Sequence, residues 1–197
     1  MPLDRGSPLA LTVLALLRYR PLHPYGIQRL LKQWGKDQVV NVGQRTGLYR
    51  TIDRLGEAGL IRVRETGRDQ QYPERTVYEI TDDGQVTLRR WLDEMLSVPR
   101  QEFPQFPAAL SNALMLAPDE LAQALERREQ VVAGTLAALE EQLADTGVPR
   151  VAMLEVEYLR AVTEAEARWL RGVVEDLRGG RLTWSRESLE EAAAALE

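Results

Sequence analysis

The chain of 197 residues has no cysteine and one histidine, His23. Without cysteine it forms no disulfide and has no thiolate metal ligand, which fits a reducing compartment such as the cytoplasm. With one histidine, we expect neither a histidine-based metal site nor a catalytic triad. We find no glycine-rich phosphate loop and no nucleophile paired with a base. We therefore expect no metal, no cofactor and no enzyme activity, and we interpret His23 as a structural hydrogen-bonding residue at a helix start.

Long apolar runs are also missing. The longest stretch, Leu9 to Leu17, contains Thr12 and falls well short of the roughly 20 residues that a bilayer requires. A core helix is the favoured interpretation of this stretch, because Asp4 interrupts the basic leader that a signal peptide needs. Charged residues at 28% and hydrophobic residues at 44% are typical of a globular protein. We expect a cytoplasmic protein that does not enter a membrane.

Charge is distributed unevenly along the chain. The net charge of -5 divides into 15 Lys+Arg against 12 Asp+Glu in residues 1–96 and 10 against 18 in residues 97–197. Within residues 18–81 the count is 12 against 7, a balance of +5. A basic segment joined to an acidic half suggests that one part meets a polyanion and the other does not.

The stretch from Gln44 to Thr81 has the pattern of a helix followed by two strands. Its first part has apolar residues at helical spacing, namely Leu48, Ile52 and Leu55. Residues 60–65 (LIRVRE) and 76–81 (TVYEIT) then alternate apolar with polar residues, as half-buried strands do, on either side of a polar tip. Helix, strand, tip and strand in this order are the second half of a winged helix-turn-helix.

Two helices precede this stretch, and only helices follow it. Ser7 and Pro8 are suited to begin the first helix, and Thr81 is suited to cap the helix after the wing. Prolines at 99, 104 and 107 mark a linker. The predicted fold is mainly α, with a winged helix-turn-helix domain at 1–97 that includes the helix after the two-stranded wing, a proline-rich linker at 98–107 and an all-helical domain at 108–197.

The C-terminal domain is expected to contain two long antiparallel helices joined by a short turn at 145–150. The apolar stripe of the first is Leu121, Leu125, Val132, Leu136, Leu139 and Leu143. The stripe of the second is Leu154, Tyr158, Val162, Ala165, Trp169, Val173 and Leu177. The second stripe is wider than one neighbouring helix covers, so we expect it to pair with a second copy of the chain.

Three segments carry a family resemblance. PLHPYGIQRLL, GLYRTIDRLGEAGLI and RTVYEITDDGQVTLRRWL follow one another in this order. As an ordered set, spanning about residues 8–96, they resemble the PadR-like transcriptional regulators. The resemblance implies a homodimer on double-stranded DNA, held together by the helical C-terminal domain and acting as a repressor at an inverted repeat. It also implies that a small-molecule effector can alter the geometry of the dimer. Arg50 stands where many members have proline after the Leu-Tyr pair.

The residues expected to contact DNA lie in the recognition helix and the wing. A helix that enters the major groove meets base edges near its N-terminus, where arginine can read guanine and glutamine can read adenine. Basic and polar residues of the wing suit phosphate or minor-groove contact. The candidates are Gln44, Arg45, Thr46, Tyr49 and Arg50 in the helix, and Arg68, Gln70, Gln71 and Arg75 in the wing. The alternative, that they form an ordinary solvated surface, stays open.

Aromatic residues near the domain junction are candidates for an effector pocket. We select Trp91, Phe103 and Tyr158, from a wider set that also includes Phe106, Trp169 and Trp184. Aromatic residues at helical spacing are also typical of ordinary core, and this alternative is kept.

Two other functions compete with the regulator interpretation. A winged helix used for protein–protein contact would bind an acidic partner through its basic face and would show no sequence preference for DNA. An enzyme would need a polar pocket with an activated group, which we cannot assemble from this sequence.

Overall fold

The structure, a computed structural model, describes residues 6–36, 39–40, 45–67, 75–144, 147–185 and 187–188, apart from the side chains at 45, 66, 67 and 75. The chain forms two compact units, Met1–Gln101 and Glu102–Glu197. The described ranges contain seven α-helices and two strands: α1 (Pro8–Tyr19), α2 (Pro24–Gln33), α3 (Arg45–Glu57), β1 (Ile61–Gly67), β2 (Arg75–Ile80), α4 (Asp82–Ser97), α5 (Gln105–Leu110), α6 (Pro118–Leu143) and α7 (Leu154–Arg178). No helix in these ranges is both long enough and apolar enough to cross a membrane.

The expected linker is partly helical, because α5 begins at Gln105. Pro104 precedes this helix and Pro107 lies in its first turn. Proline is tolerated there, since the amides of a first helical turn have no partner within the helix. Proline at such positions therefore ends one segment and begins the next helix, where the sequence suggested a continuous linker.

Side chains cap the first two helices. The Ser7 hydroxyl accepts the Ala10 amide at 3.2 Å, and Pro8 occupies the first helical position. α2 begins after His23, whose Nδ1 accepts the Gly26 amide at 2.8 Å. The histidine ring thus takes the place of the usual Ser or Asp cap, and its structural role is confirmed.

The first unit has one hydrophobic core, to which α1, α2, α3, β1 and α4 all contribute. Its largest fully buried side chains are Leu14, Ile27, Leu31, Leu48, Ile52, Leu55 and Trp91. Each such side chain stabilises the fold by about 1.5–3 kcal/mol relative to exposure. The burial of Leu48, Ile52 and Leu55 confirms the apolar face expected for α3 and fixes which face of this helix points outward.

The sequence of the second helical segment predicts an apolar face of Tyr25, Ile27, Leu30, Leu31 and Trp34. Of these residues, Tyr25 and Trp34 are exposed in the structure. Tyr25 lies two residues before Ile27, which is roughly 200° around a helix of 3.6 residues per turn. Trp34 follows the last residue of α2 as its C-cap. The buried face of this helix is therefore Ile27, Leu30 and Leu31 alone among the predicted positions.

The wing is an antiparallel pair in which Ile61 lies opposite Ile80. A β-bulge interrupts the pairing between Val63 and Glu65, so Arg64 is an extra residue and the strict alternation expected for β1 is broken. Tyr78 also exchanges two backbone hydrogen bonds with Leu22, at 2.9 and 3.0 Å. The connection between α1 and α2 thereby adds a one-residue bridge to the edge of β2.

The second unit is built on the pairing of α6 with α7. Its core contains Leu121, Ala122, Leu125 and Val132 from α6, and Ala167, Leu170 and Leu177 from α7. Ion pairs join α7 to α6 at the end and in the middle of α7, with Arg178 Nε to Glu126 Oε1 at 2.7 Å and Arg128 Nη2 to Glu166 Oε1 at 2.6 Å. The hydrogen bond from Arg178 holds the pKa of the Glu126 carboxyl below its ordinary value. These pairs fix the register of two antiparallel helices.

The apolar stripe expected along α7 divides between two faces. Leu154, Tyr158, Val162, Ala165 and Trp169 are exposed, whereas Leu177 is buried and Val173 packs against the core. The 23 residue-to-residue steps from Leu154 to Leu177 turn the helix by roughly 140° beyond six full turns, because α-helices have 3.6 residues per turn. A stripe that looks straight in the sequence therefore winds from the outer face into the core, and the face toward α6 is instead Val156, Ala167 and Leu170.

Candidate nucleic-acid interface

Opposite its buried side, α3 presents a continuous polar face. The exposed residues of this face are Thr46, Tyr49, Arg50, Asp53, Arg54 and Glu57, and they recur at spacings of three, four and one. Half of the Tyr49 side chain is accessible. Two arginines against two carboxylates, Asp53 and Glu57, leave the exposed residues of this face without net charge. The width of the face suits a helix that lies in a groove.

The DNA contacts expected from the sequence fall into two groups. Thr46, Tyr49 and Arg50 share the exposed face of α3. The positions outside the described residues are Gln44, Arg68, Gln70 and Gln71, and the side chains of Arg45 and Arg75 lie outside them too, although these two residues begin α3 and β2. The structure therefore places three of the candidates together, and contact by any of them with DNA stays a prediction.

Asp53 was not expected on this face, and it interacts with the wing. Burial raises the pKa of the Tyr78 hydroxyl, and the Asp53 carboxylate and Tyr49 raise it further. Tyr78 lies on β2, so this interaction joins the exposed face of α3 to the second strand of the wing. The spacing of Asp53 from Tyr49 was visible in the sequence, whereas its proximity to Tyr78 depends on the fold.

Sequence reasoning also missed two exposed arginines of β1. Arg62 Nε donates to Glu79 Oε1 at 2.8 Å, and Arg64 lies 3.8 Å from the other oxygen of the same carboxylate. The alternating pattern placed these charges on the outer face of the strand, but the sequence did not pair them with Glu79. Nowhere in the described ranges do three or more histidine, aspartate or glutamate side chains gather so as to hold a metal ion.

The three effector candidates differ in their surroundings. Trp91 is fully buried in the core of the first unit, and its Nε1 has no hydrogen-bond partner among the described residues. Phe103 and Tyr158 belong to the second unit and are 89% and 67% exposed. Trp91 thus serves as core in this structure, and a ligand would reach its ring only if that core opened. The effector role of all three residues stays a prediction.

The remaining aromatic residues of the candidate set pack within the second unit. Phe106 meets Trp169 edge-on, with ring centroids 6.0 Å apart, and the Arg128 guanidinium lies 3.6 Å from the Phe106 centroid. Trp184 Nε1 donates to the Leu116 carbonyl at 3.1 Å. Contacts of this kind are typical of structural aromatic residues that anchor neighbouring segments.

A comparison with known protein families found a match within the first unit. Residues 13–90 match the model of the transcriptional regulator PadR-like family. The matched segment runs from within α1 to within α4 and includes the whole of α3 and both strands. Members of this family are transcriptional regulators. A comparison with curated proteins found no match.

Solved structures share the fold over most of the chain. Bacillus subtilis PadR in complex with operator DNA is 20% identical, with a TM-score of 0.71 over 87% of this chain and 99% of that one. The same protein in complex with p-coumaric acid is 18% identical, with a TM-score of 0.66 over 88% and 98%. The Vibrio cholerae virulence activator AphA is 20% identical, with a TM-score of 0.64 over 87% and 98%. The likeness extends through both units and concerns the fold.

The Asp53–Tyr78 interaction predicts a measurable titration. Asp53→Asn should lower the pKa of Tyr78 but leave it above its ordinary value, because burial, the larger cause, remains. Since the folded-state pKa is raised, the associated stability is present below pH 10.0 and is lost as the pH rises through the folded-state value. Tyrosinate absorbance, compared with and without Tyr78→Phe, measures the shift. Asp93→Asn, at an exposed position of α4, is the control and should leave the titration unchanged.

Proposed function

We propose that this chain is a sequence-specific DNA-binding transcriptional regulator that acts in the cytoplasm as a homodimer on an inverted-repeat operator. The observation that carries the proposal is the exposed polar face of α3, with Arg50 and Arg54, opposite a buried face that fixes its direction. The fold of a relative solved with operator DNA supports it. The two copies of α3 would enter successive major grooves, and the wings would contact the flanking backbone.

Repression is the mode that we propose. A dimer seated on a promoter blocks it without further contacts, whereas activation requires an additional surface that engages the transcription machinery. The similar fold of a protein named as a virulence activator is a reason to measure the sign directly. A reporter gene placed behind the selected operator reports repression as a fall in expression when the chain is present.

Arg50→Ala tests the assignment of α3. Operators are first selected from a random duplex pool with the full chain. If Arg50 reads a base, the variant should lose about 1–3 kcal/mol of affinity for the selected operator and should relax the preference at one position. Arg68→Ala should instead weaken binding to all duplexes alike and reduce the salt slope by about one. Fluorescence anisotropy at several salt concentrations measures both effects.

A matched arginine outside the proposed interface provides the control. Arg127 is exposed on α6 in the second unit, and Arg127→Ala should leave affinity, preference and salt slope unchanged. Selection that returns no sequence preference at moderate salt would exclude the regulator function. Binding to an acidic protein surface would then be the better explanation of the basic segment.

The homodimer would form through the outer face of α7. This face, which we call the α7 stripe, consists of Leu154, Tyr158, Val162, Ala165 and Trp169, all exposed in the single chain. Apolar surface left in water costs roughly 25 cal/mol for each Å². Pairing with the same surface of a second copy removes it from water and also brings two copies of α3 to one duplex.

Val162→Asp should therefore shift the chain toward monomer, because it places a carboxylate in the centre of the α7 stripe. The full operator should be bound far more weakly, since the second half-site loses the high effective concentration that dimerisation provides. Val131→Asp makes the same change at an exposed valine of α6 outside the stripe and is the control. Sedimentation velocity measures the oligomeric state of each variant. A Val162→Asp variant that stays as dimeric as Val131→Asp would place the interface elsewhere.

We also propose that a small aromatic acid or drug-like molecule controls the dimer. A relative of the same fold was solved with p-coumaric acid, which makes that compound a suitable first probe. A ligand alters DNA affinity only if it binds the two geometries of the dimer unequally. Titration of the full chain on its operator should therefore change tryptophan fluorescence and release DNA in parallel. Phe103→Ala, at an effector candidate outside the α7 stripe, should weaken both responses. If no compound in the library changes both signals, the chain is better described as a constitutive regulator.

A further inference from the structure

Thr81 connects the first turn of α4 to the loop that ends α3. Its hydroxyl donates to the Gly59 carbonyl at 2.7 Å and accepts the Gly84 amide at 3.1 Å, so one oxygen serves both the loop and the helix cap. Its backbone amide donates to the Leu60 carbonyl at 3.1 Å. The Thr81 carbonyl also accepts the Gln85 amide at 2.9 Å, so this residue makes two hydrogen bonds to the turn after α3 and two to α4.

Gly84 allows α4 to approach the loop after α3 closely. A Cβ at position 84 would overlap the Leu60 carbonyl oxygen and would come within 2.8 Å of Ile80 Cγ1. Gly84 is buried and helical, so the need for glycine here arises from the approach of backbone to backbone, and not from a turn. Helix α4 thus lies directly on the carbonyl of the Leu60–Ile61 peptide.

The same loop is hydrogen-bonded to α3. The Leu60 amide donates to the Leu55 carbonyl and the Gly59 amide to the Gly56 carbonyl, each at 2.9 Å, with Gly59 at a φ of +70°. Leu55 is among the fully buried residues that orient α3. A continuous set of short hydrogen bonds therefore runs from α3 through Gly59 and Leu60 to Thr81 and α4.

We infer that Thr81 is a positioning residue that locks α4 to the end of α3, so that both helices move as one body when the dimer changes shape. The inference rests on the proposed function in one respect, namely that α3 reads DNA. Helix α4 is the last helix of the first unit before the chain enters the second. Any reorientation of α4 is then passed to the polar face of α3 and is not absorbed between them.

The two bonds of the Thr81 hydroxyl can be separated by substitution. Thr81→Ser keeps the donor and the acceptor. Thr81→Asp keeps an acceptor for the Gly84 amide, and aspartate is among the best N-caps, but an ionised carboxylate cannot donate to the Gly59 carbonyl. If Thr81 is only a helix cap, the Asp variant should behave like the Ser variant. If it is a lock, the two should differ.

The first measurement needs no DNA. Because the chain has no cysteine, Arg54→Cys and Arg90→Cys introduce the only two labelling sites, both at exposed positions, one on α3 and one on α4. Spin labels on these sites, diluted with unlabelled chain to suppress distances between copies, report the separation of the helices. We expect a narrow distance distribution for the wild type and for Thr81→Ser, and a broader one for Thr81→Asp. Equal widths for all three would overturn the inference.

The second measurement is the DNA affinity of the unlabelled full chain for three kinds of duplex. The first carries one half-site, the second carries two half-sites at the selected spacing, and the third has one or two base pairs added between the two half-sites. Thr81→Asp should bind the two-site operator about five- to tenfold more weakly, in the usual range of coupling between sites, and should discriminate less between spacings. Affinity for the single half-site should stay as in the wild type, since α3 itself is unchanged. Gln85→Glu, which adds the same charge to the first turn of α4, is the control and should retain the spacing preference.

The outcomes separate the inference from the proposed function. If the wild-type chain shows no sequence preference for DNA, the proposed function is refuted. The distances between the spin labels then still decide whether Thr81 holds α4 to the end of α3. A specific wild type whose Thr81→Asp variant melts at a lower temperature but keeps both the narrow distances and the spacing preference would show a role in stability alone. That result would overturn the lock and leave the regulator function intact.

Discussion

Burial of one face of α3 is the constraint on which the arrangement of the first unit depends. Leu48, Ile52 and Leu55 are each at most 2% exposed, and every other element of the unit contributes side chains to the core that covers them. Once these three residues are inside, the helix cannot rotate without exposing apolar surface, which costs roughly 25 cal/mol for each Å². The direction of Arg50 and Arg54 is therefore set by residues that would never touch a ligand. The positions of the side chains on the outer face of α3 are therefore fixed by the packing of the core beneath it.

Most of this unit could be predicted from the sequence because its determinants are local. Helical spacing located the buried face of α3, and Ser7, His23 and Thr81 marked helix starts where each of their side chains accepts a backbone amide. The order of elements matched a family before any coordinate was considered, and residues 13–90 fit that family. Capping and periodicity involve residues within one or two turns of each other. They leave a signal that a single sequence retains.

The features that could not be predicted depend on residues far apart in the chain. The bulge at Arg64 requires knowledge of how β1 pairs with β2, and the effect of the Asp53 charge on the pKa of Tyr78 requires knowledge of how α3 lies relative to the wing. The stripe on α7 was mistaken for one face because seven residues at spacings of three and four look continuous on paper, although each step of four overshoots a turn. The family resemblance predicted the architecture. The cross-strand partners and the outward face of a long helix can be identified only from the three-dimensional structure.

The charge of the proposed interface constrains how it can bind DNA. The polar face of α3 carries two arginines against Asp53 and Glu57, whereas residues 18–81 together have a balance of +5. A helix with so little net charge cannot supply the counterion release that dominates affinity for a duplex, so most phosphate contacts must come from other elements. Arg62 and Arg64 are suitable, since both are exposed and share a single carboxylate, Glu79. Exposed ion pairs contribute only about 0–1 kcal/mol, so exchanging Glu79 for a phosphate costs little. Pairing in the free protein holds the two guanidinium groups at the base of the wing, and under the proposed function the more selective contacts would be left to α3.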